Sequence, residues 1–442
     1  MTTPIWLTGF EYGQTTLSVN GGGLCDVITG ACAVRSAQKH TGNYSLQCTS
    51  SAAAFAFISR TISGTPNILV GRFYFGMFNT LPSADVIIFS MTTTGAHKVQ
   101  FGIDITNMKL YPAVDDVLYV NDTYNDLVLG LWYRVDFKID MSANPWTIDW
   151  EIDGAVQAQE TYVHAADTFT NVDVGINTMT GLIMYYDDVI ISTTAGDFPI
   201  GDGGTFGLKP NADGTHNNAA NIMEDQAGHD IDGITYYAYS LLNELPWVAG
   251  VGTYVRQWGV GTDKYVEVQF EDIATHLTYS GVSALLEYAS SATTANTGGC
   301  IIRDSDGTET TVWGAPGALA DYSETTVQYK HVIVTVPAGG WTEAYINSLR
   351  ARMGYSDNVA SKPYWVALML EVAFEIPADS SLQTNHSVAV ESIDDVTNQR
   401  MTNMSVNVED IDDVTEQRVT NFAIMVEWTP PGGLAYDVTQ VI

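Results

Sequence analysis

Hydrophobic and polar residues alternate with a period of two in short segments of the N-terminal half of the chain. The clearest are residues 71–77, 98–105, 132–139 and 147–154. A period of two places successive side chains on opposite faces of a strand, so that one face of each strand meets a core. Helical periodicity is absent here. The pattern predicts a two-sheet sandwich or jelly roll over residues 1–200.

The next region, residues 201–376, has the same strand character with one exception. Residues 364–372 have a strand pattern, whereas residues 340–349 predict a short helix. Thr342 is the expected N-cap, because a threonine hydroxyl accepts a hydrogen bond from a free backbone N–H of the first turn. We expect a second jelly-roll domain that ends at the turn-forming sequence beginning with Pro377.

The C-terminal segment, residues 377–442, contains an 18-residue repeat. Its β-rich copies end in glutamate at residues 388–391, 406–409 and 424–427. Repeated strand units must bury a face against neighbours or against another subunit, so the repeat predicts an element for assembly or display. The alternative is an ordinary terminal β-meander. The expected fold class is therefore all-β: two tandem jelly-roll domains, or β-sandwiches, followed by a repeated β-strand element.

Composition and charge exclude some classes of function. The 442-residue chain has 39 Gly and 23 Tyr, which is typical of strands and turns, and 51 Asp and Glu against 18 Lys and Arg give a net charge of −33. Nucleic-acid backbones need a basic surface for counterion release, and anionic membranes repel an acidic chain, so we expect neither as a partner. The first residues lack the basic region and apolar core of a secretory signal, so we expect synthesis in the cytoplasm.

Four cysteines are present, at Cys25, Cys32, Cys48 and Cys300. Their spacing matches neither a zinc site nor a disulfide framework. We expect buried free thiols, with a Cys25–Cys32 disulfide or a thiol cluster as the alternatives.

Five motifs in the first 200 residues resemble a known family by their order along the chain. They are residues 9–13, 41–46, 132–135, 153–154 and 185–191. Together they look like a concanavalin-A-like (laminin-G-like) jelly roll. More narrowly, residues 197–202 after the closing strand resemble virion structural proteins of tailed bacteriophages. That resemblance continues through residues 209–216, 263–272 and 340–349.

This resemblance implies a non-enzymatic virion structural protein, either a capsid decoration protein or a tail- or fibre-associated subunit. Its partners would be other virion proteins, further copies of itself in a homo-oligomer, and host-surface glycans. The chain departs from the family by repeating its last strand type, at residues 400–402 and 418–420. The alternative functions are a carbohydrate-binding lectin or adhesin, and a glycan-cleaving enzyme.

The concanavalin-A-like fold also occurs in retaining glucanases, which carry Glu-x-Asp-x-x-Glu on one strand. Their two carboxyl groups flank the sugar roughly 5–5.5 Å apart. The nearest match begins at Glu151 and has Val156 where the acid should be, and Asp153 and Gly154 are better explained as a hairpin turn. The histidines are scattered, and no serine-nucleophile or phosphate-loop motif occurs. The sequence therefore predicts a protein that is not an enzyme.

Two sets of side chains are candidates for binding ligands. Carboxylates that could coordinate Ca²⁺, the one cofactor considered, are Asp187, Asp188, Asp394, Asp395, Asp412 and Asp413. The alternatives are a hairpin or edge strand for the first pair and solvated turns for the others. Residues that combine tyrosine with amide and carboxylate groups, as a glycan site needs, are Tyr111, Tyr119, Asn121, Asp122, Tyr124 and Asn125. The alternative is that these tyrosines cover a sheet.

We predict that the repeat turns do not require calcium. Asp394 and Asp412 are expected to be solvated or paired with Arg400 and Arg418, and exposed pairs contribute only about 0–1 kcal/mol. The melting temperature should therefore shift little between millimolar Ca²⁺ and chelator. A large rise with calcium that is abolished by Asp394→Asn together with Asp412→Asn would show metal sites instead, because a ligand bound only by the folded state stabilises it by mass action.

Overall fold

The computed structural model describes most of the first 376 residues and two strands near the end of the chain. The described residues are 3–13, 23–115, 117–118, 126–178, 181–214, 223–225, 229, 237–242, 255–257, 264–273, 278–290, 297–305, 307–313, 320–321, 328–355, 363–376, 423–428 and 436–441. The chain divides into two compact units, Met1–Pro377 and Ala378–Ile442. The domain boundary predicted between residues 200 and 201 lies inside the first unit.

The first 192 residues form two antiparallel sheets. Their strands are β1 (Trp6–Thr8), β2 (Val27–Thr29), β3 (Ala31–Arg35), β4 (Ser45–Thr49), β5 (Ala56–Thr61), β6 (Ile68–Gly76), β7 (Val86–Thr93), β8 (Lys98–Asp104), β9 (Lys109–Val114), β10 (Val117–Leu118), β11 (Trp132–Asp140), β12 (Trp146–Ile152), β13 (Ala155–Val156), β14 (Glu160–Tyr162), β15 (Phe169–Ile176) and β16 (Ile183–Ser192). Sheet 1 has the order β13-β12-β11-β6-β16-β4-β3, with β1 on β16 and β14 on β12. Sheet 2 has the order β10-β9-β8-β7-β15-β5-β2. A 3-10 turn, Ala195–Asp197, follows.

The predicted alternation explains how these two sheets pack. On β12, Trp146 and Trp150 are buried while Asp149 between them points away from the core. Phe73 of sheet 1 stacks on Phe89 of sheet 2 with ring centroids 4.3 Å apart, so the two inner faces meet directly. The prediction of a β-sandwich is confirmed for this region.

A second sandwich follows. Its strands are β17 (Gly203–Leu208), β18 (Pro210–Asp213), β19 (Met223–Glu224), β20 (Val255–Gln257), β21 (Lys264–Phe270), β22 (Thr278–Ser290), β23 (Thr297–Arg303), β24 (Glu309–Trp313), β25 (Ala320–Asp321), β26 (Gln328–Ile333), β27 (Arg350–Tyr355) and β28 (Pro363–Glu375). Sheet 3 has the order β19-β20-β28-β22-β26, with β17 on β28. Sheet 4 has the order β18-β21-β27-β23-β24, with β25 on β23.

Two short helices accompany the second sandwich, α1 (Ala238–Leu242) and α2 (Glu343–Ser348). The α2 helix is the one that the sequence predicts. Thr342 is its N-cap, and its hydroxyl oxygen accepts a hydrogen bond of 3.2 Å from the backbone N–H of Tyr345. Neither helix is long and apolar enough to span a membrane, which holds for every helix in the described part of the chain. The all-β fold class is confirmed.

The second unit contains an antiparallel pair, β29 (Ala423–Trp428) and β30 (Tyr436–Val441). Strand β29 includes the third copy of the repeat. The first two copies, at residues 388–391 and 406–409, lie outside the described residues. The assembly role of the repeat therefore stays a prediction.

All four cysteines are free thiols. Cys32 and Cys48 are register partners on β3 and β4, and their Sγ atoms are 3.4 Å apart. Burial raises the pKa of the Cys25 thiol, which lies close to these two, to about 12. The structure thus shows the expected free thiols, three of which form a cluster.

Sheet 1 and sheet 3 meet at a joint between the two sandwiches. Leu7, Val70 and Ile190 of sheet 1 form an apolar cluster with Ala373 of sheet 3. Beside this cluster the turn after β1 is buried, and the Tyr12 hydroxyl lies 3.2 Å from Ser283 Oγ. Apolar burial and hydrogen bonds together hold the two sandwiches in contact.

Glu11 and Glu371 are two of the carboxyl groups that are buried in this joint. The Glu11 backbone N–H donates a 2.7 Å hydrogen bond to Glu371 Oε1, and the Thr8 hydroxyl donates to the same oxygen. Burial raises the pKa of Glu11 to about 7, and it raises that of Glu371 well above its usual range, with the neighbouring Glu11 as a second cause. Both shifts favour the neutral form of these buried carboxyl groups.

We predict that the protein loses stability as the pH rises from about 4.5 to about 7. Glu11 binds a proton more tightly in the folded state than its usual pKa of 4.5 allows in the unfolded chain. The stabilisation is therefore complete below pH 4.5 and is lost as the pH rises through 7. The free energy of unfolding, measured by urea denaturation, should fall by on the order of 1 kcal/mol per pH unit from this group.

The Glu11→Gln variant should reduce this slope, and Asp272→Asn, which changes an exposed carboxylate, should leave it unchanged. An unaltered slope in Glu11→Gln would show that Glu11 is not the titrating group.

Candidate functional site

The outward face of sheet 1 carries a polar and aromatic surface on strands β6, β11 and β12. On β11 the side chains that face the core between sheets 1 and 2 are Tyr133, Val135, Phe137 and Ile139. The alternate side chains on the opposite face are Trp132, Arg134, Asp136 and Lys138, of which Arg134 and Asp136 are also buried. The outward side chains of β12 include Asp149 and Glu151. We call this surface the sheet 1 face.

Aromatic rings form one end of the sheet 1 face. The His40 ring stacks on Tyr74 with centroids 3.7 Å apart, and Trp132 approaches His40 edge-on at 6.0 Å. Phe78 contacts Trp132 at 5.2 Å and Tyr185 at 5.6 Å, again edge to face. Trp132 is half-buried, so part of a large aromatic surface stays open to a ligand.

His40 is held in place by two buried carboxylates of β16. The His40 backbone N–H donates to Asp187 Oδ2 at 2.8 Å, and its ring Nδ1 lies 2.7 Å from Asp188 Oδ2. The hydroxyls of Thr41 and Thr205 donate to Asp188 Oδ1 at 2.9 and 2.7 Å. These bonds fix the loop of residues 36–44, between β3 and β4, against sheet 1.

The structure changes the interpretation of the Asp187–Asp188 pair. The alternative of a hairpin or edge strand is wrong, because the pair lies at a bulge within β16, which pairs with β4 on one side and β6 on the other. Burial, with Asp188 as a second cause, raises the pKa of Asp187 well above its usual range.

Calcium binding by Asp187 and Asp188 stays a prediction. Within the described ranges, no group of three or more His, Cys, Asp or Glu side chains is arranged to hold a metal ion. The other four candidates, Asp394, Asp395, Asp412 and Asp413, lie outside the described residues.

Charged groups form the other part of the sheet 1 face. Arg134 Nε lies 2.8 Å from Asp136 Oδ2, and Arg134 Nη1 lies 3.3 Å from Asp202 Oδ1. The Tyr74 hydroxyl donates to Asp202 at 2.6 Å, which joins the charged part to the aromatic part. Burial opposes the charge on Arg134, but Asp136, Tyr74 and Asp202 together outweigh it and raise the pKa of the guanidinium. Arg134 is thus a fixed cation at the centre of the face.

Glu151 faces a second carboxyl group that the sequence motif did not reveal. Its register partner on β11 is Asp136, and side chains directly opposite each other have Cβ atoms about 4.5–5.5 Å apart. Burial first and Asp136 second raise the pKa of Glu151. Burial also raises the pKa of Asp136, against the effect of Arg134. Glu151 is half-buried, whereas Asp136 is fully buried.

The rest of the glucanase-like motif has a structural role. Asp153 and Gly154 have φ values of 50° and 79° and form the two-residue turn between β12 and β13, so the hairpin interpretation is confirmed. Val156, which pairs with Glu151 across this hairpin, is 76% exposed and supplies no acid. Alternation along 132–139 places Asp136 on a polar face, but only the pairing of β11 with β12 brings it opposite Glu151.

The glycan site predicted from the loop-rich segment is wrong at Tyr111. Tyr111 is 1% exposed and lies on β9, on the side of sheet 2 opposite Phe101, which faces sheet 1. Its register partner is Gly102, and a Cβ there would lie 2.6 Å from the Tyr111 hydroxyl oxygen. The tyrosine therefore covers the outer face of sheet 2 at Gly102, and covering a sheet was the alternative. The remaining candidates, Tyr119, Asn121, Asp122, Tyr124 and Asn125, lie outside the described residues.

No family model and no curated protein matches the chain. Among solved structures, a protein titled cellulose induced protein, Cip1, is 16% identical with a TM-score of 0.35 and covers 42% of this chain and 97% of its own. An endo-1,3-beta-glucanase from Streptomyces sioyaensis is 14% identical with a TM-score of 0.30 and covers 43% and 95%. The CBM22-1-CBM22-2 tandem domain of Paenibacillus barcinonensis Xyn10C is 9% identical with a TM-score of 0.22 and covers 84% and 98%.

These findings correct one prediction. The prediction that the chain is not an enzyme is contradicted, because similar structures include the endo-1,3-beta-glucanase. At such low identities and TM-scores the likeness assigns no activity in its place. None of the three structures is titled as a virion protein. The strands themselves establish the conclusion: the chain is an all-β protein built from jelly-roll sandwiches.

Proposed function

We propose that the sheet 1 face binds a carbohydrate chain. The observation that carries this proposal is the half-buried Trp132 beside the Tyr74–His40 stack. Sugar rings present C–H groups on one side and hydroxyls around the edge, so they suit a flat aromatic surface flanked by polar groups. Aromatic side chains supply large apolar contact area, and a few fixed polar groups supply orientation.

The polar groups of the face are positioned to bind hydroxyls. Arg134 is 9% exposed and is held by Asp136 and Asp202, so contact between its accessible edge and a hydroxyl would cost little side-chain freedom. At the aromatic end, Gln47 Nε2 donates to the Tyr185 hydroxyl at 2.7 Å.

Further along β11, the Lys138–Asp149 pair at 2.6 Å continues the row of polar groups across two strands. Such a row favours a chain of several sugars over a single ring.

The proposal is the lectin-like alternative of the sequence analysis. A virion role, with other virion proteins and further copies of this chain as partners, stays a prediction. It is compatible with glycan binding, because display of many copies raises avidity without any new contact.

We expect Trp132→Ala to weaken binding of the recognised glycan at least about tenfold, equivalent to about 1.4 kcal/mol. Removing the indole removes the main open aromatic surface, while the core side chains of β11 stay in place. A glycan array identifies the ligand, and titration calorimetry measures the affinity. Phe55→Ala, which truncates an aromatic ring that is 37% exposed outside the face, is the control and should bind normally. An array without any bound glycan, or an unchanged affinity in Trp132→Ala, contradicts the proposal.

The pairing of Glu151 with Asp136 favours a second function, cleavage of the bound glycan. A half-buried carboxyl group with a raised pKa is suited to donate a proton to a glycosidic oxygen. Asp136 is buried beneath it, where the backbone N–H of Gly201 donates to Asp136 Oδ1 at 3.0 Å. The negative charge of Asp136 would therefore act by raising the pKa of Glu151, which favours its protonated form.

We expect any release of reducing ends from β-glucan, alginate or bacterial surface polysaccharide to disappear in Glu151→Gln. The amide keeps the shape of the side chain but cannot donate an acidic proton, so glycan binding should be retained. Asp126→Asn, on an exposed carboxylate away from the face, should keep full activity. The absence of reducing ends with the wild-type protein would limit the function to binding.

A further inference from the structure

A separate cleft of about 450 Å³ lies between the loop of residues 36–44 and the second sandwich. Its volume falls in the range of roughly 300–1,000 Å³ that is usual for small-molecule sites. The loop contributes Lys39, Asn43 and Tyr44, and the second sandwich contributes Lys209 and Glu271. The same loop presents His40 to the sheet 1 face, so the cleft and the face lie on different sides of one loop.

The carboxylates that line this cleft already have hydrogen-bond partners. Glu11 accepts hydrogen bonds from the backbone N–H groups of Asn43 at 2.9 Å and Tyr44 at 3.2 Å. Glu271 Oε2 accepts one from the backbone N–H of Lys209 at 3.0 Å. Both carboxyl groups thus already accept hydrogen bonds from backbone N–H groups.

The two lysine ammonium groups of the cleft have no charged partner in the described part of the chain. Lys39 is exposed and Lys209 is half-buried, and neither forms an ion pair with any residue that the structure describes. The cleft has two lysines beside Glu11 and Glu271, whereas the whole chain has 51 acidic and 18 basic residues. An anion is therefore repelled less here than by most of the remaining surface.

The surroundings of the lysines indicate the kind of anion. A compact phosphate is usually held by several converging backbone N–H groups. In this cleft the N–H groups of Asn43 and Tyr44 are occupied by Glu11. The Asn43 amide donates one hydrogen bond to Glu11 Oε2 at 3.3 Å, which leaves its oxygen and second N–H, the half-buried Tyr44 ring and the two lysines. Amide, aromatic ring and cation together fit a sugar ring that carries a carboxylate.

We infer that this cleft binds an acidic sugar, a uronate of one or two rings, through Lys39 and Lys209. The inference does not rest on glycan binding by the sheet 1 face, because the two sites use different residues. The cleft would thus bind a second class of ligand, distinct from the glycan of the sheet 1 face.

The test is a calorimetric titration of the full chain with a digalacturonate, a neutral disaccharide and inorganic phosphate. We expect the uronate to bind, with an affinity that falls as salt is added, and the other two to bind at least tenfold more weakly. Lys39→Gln together with Lys209→Gln should weaken uronate binding at least tenfold. Lys98→Gln removes an exposed lysine of sheet 2 and serves as the matched control with unchanged binding.

The inference is overturned if the uronate does not bind, if the neutral disaccharide or phosphate binds equally well, or if the double variant keeps its affinity. Trp132→Ala separates the two sites in the same titration. Uronate binding that is retained in Trp132→Ala supports a site in the cleft, whereas loss in that variant places the uronate on the sheet 1 face and overturns the inference.

Discussion

A buried carboxyl group costs several kcal/mol unless hydrogen bonds or a bound proton compensate it, and four such groups meet at the joint between the sandwiches. Glu371 accepts the backbone N–H of Glu11, and Glu11 accepts two N–H groups from the loop of residues 36–44. Asp187 and Asp188 hold that loop from sheet 1. Because each buried carboxyl group needs hydrogen-bond partners, the loop of residues 36–44 is held in one position. A Cβ on Gly42 would overlap the Glu11 carboxylate, so the close approach also requires glycine at that position.

This constraint determines both candidate binding surfaces. One side of the loop presents His40 to Tyr74 on the sheet 1 face, and the other side presents Lys39 and Asn43 to the cleft. If the buried carboxylates did not fix the loop, neither the aromatic stack nor the pair of lysines would have a defined geometry. Preorganisation of this kind lowers the entropy lost when a ligand binds.

Burial of carboxyl groups in the joint has to be reconciled with the acidity of the chain. Burial raises the pKa of Asp187 and Glu371 well above the usual carboxyl range, which favours their neutral form where four carboxylates would otherwise repel one another. The sheet 1 face reduces its own charge differently, by placing Arg134 between Asp136 and Asp202.

The sequence by itself determined the strands and their faces, because a period of two fixes which side chains of β11 and β12 share the core face whatever the strands pair with. It also determined local features that depend on neighbouring residues, such as the Thr342 cap and the Asp153–Gly154 turn. Only the tertiary structure decided which strands are neighbours. Glu151 and Asp136 are fifteen positions apart and meet through sheet register, and Glu11 meets Glu371 across 360 positions. Tyr111 shows the same limit, since a period of two distinguishes two faces but does not show that the outer face of sheet 2 is also buried at this position.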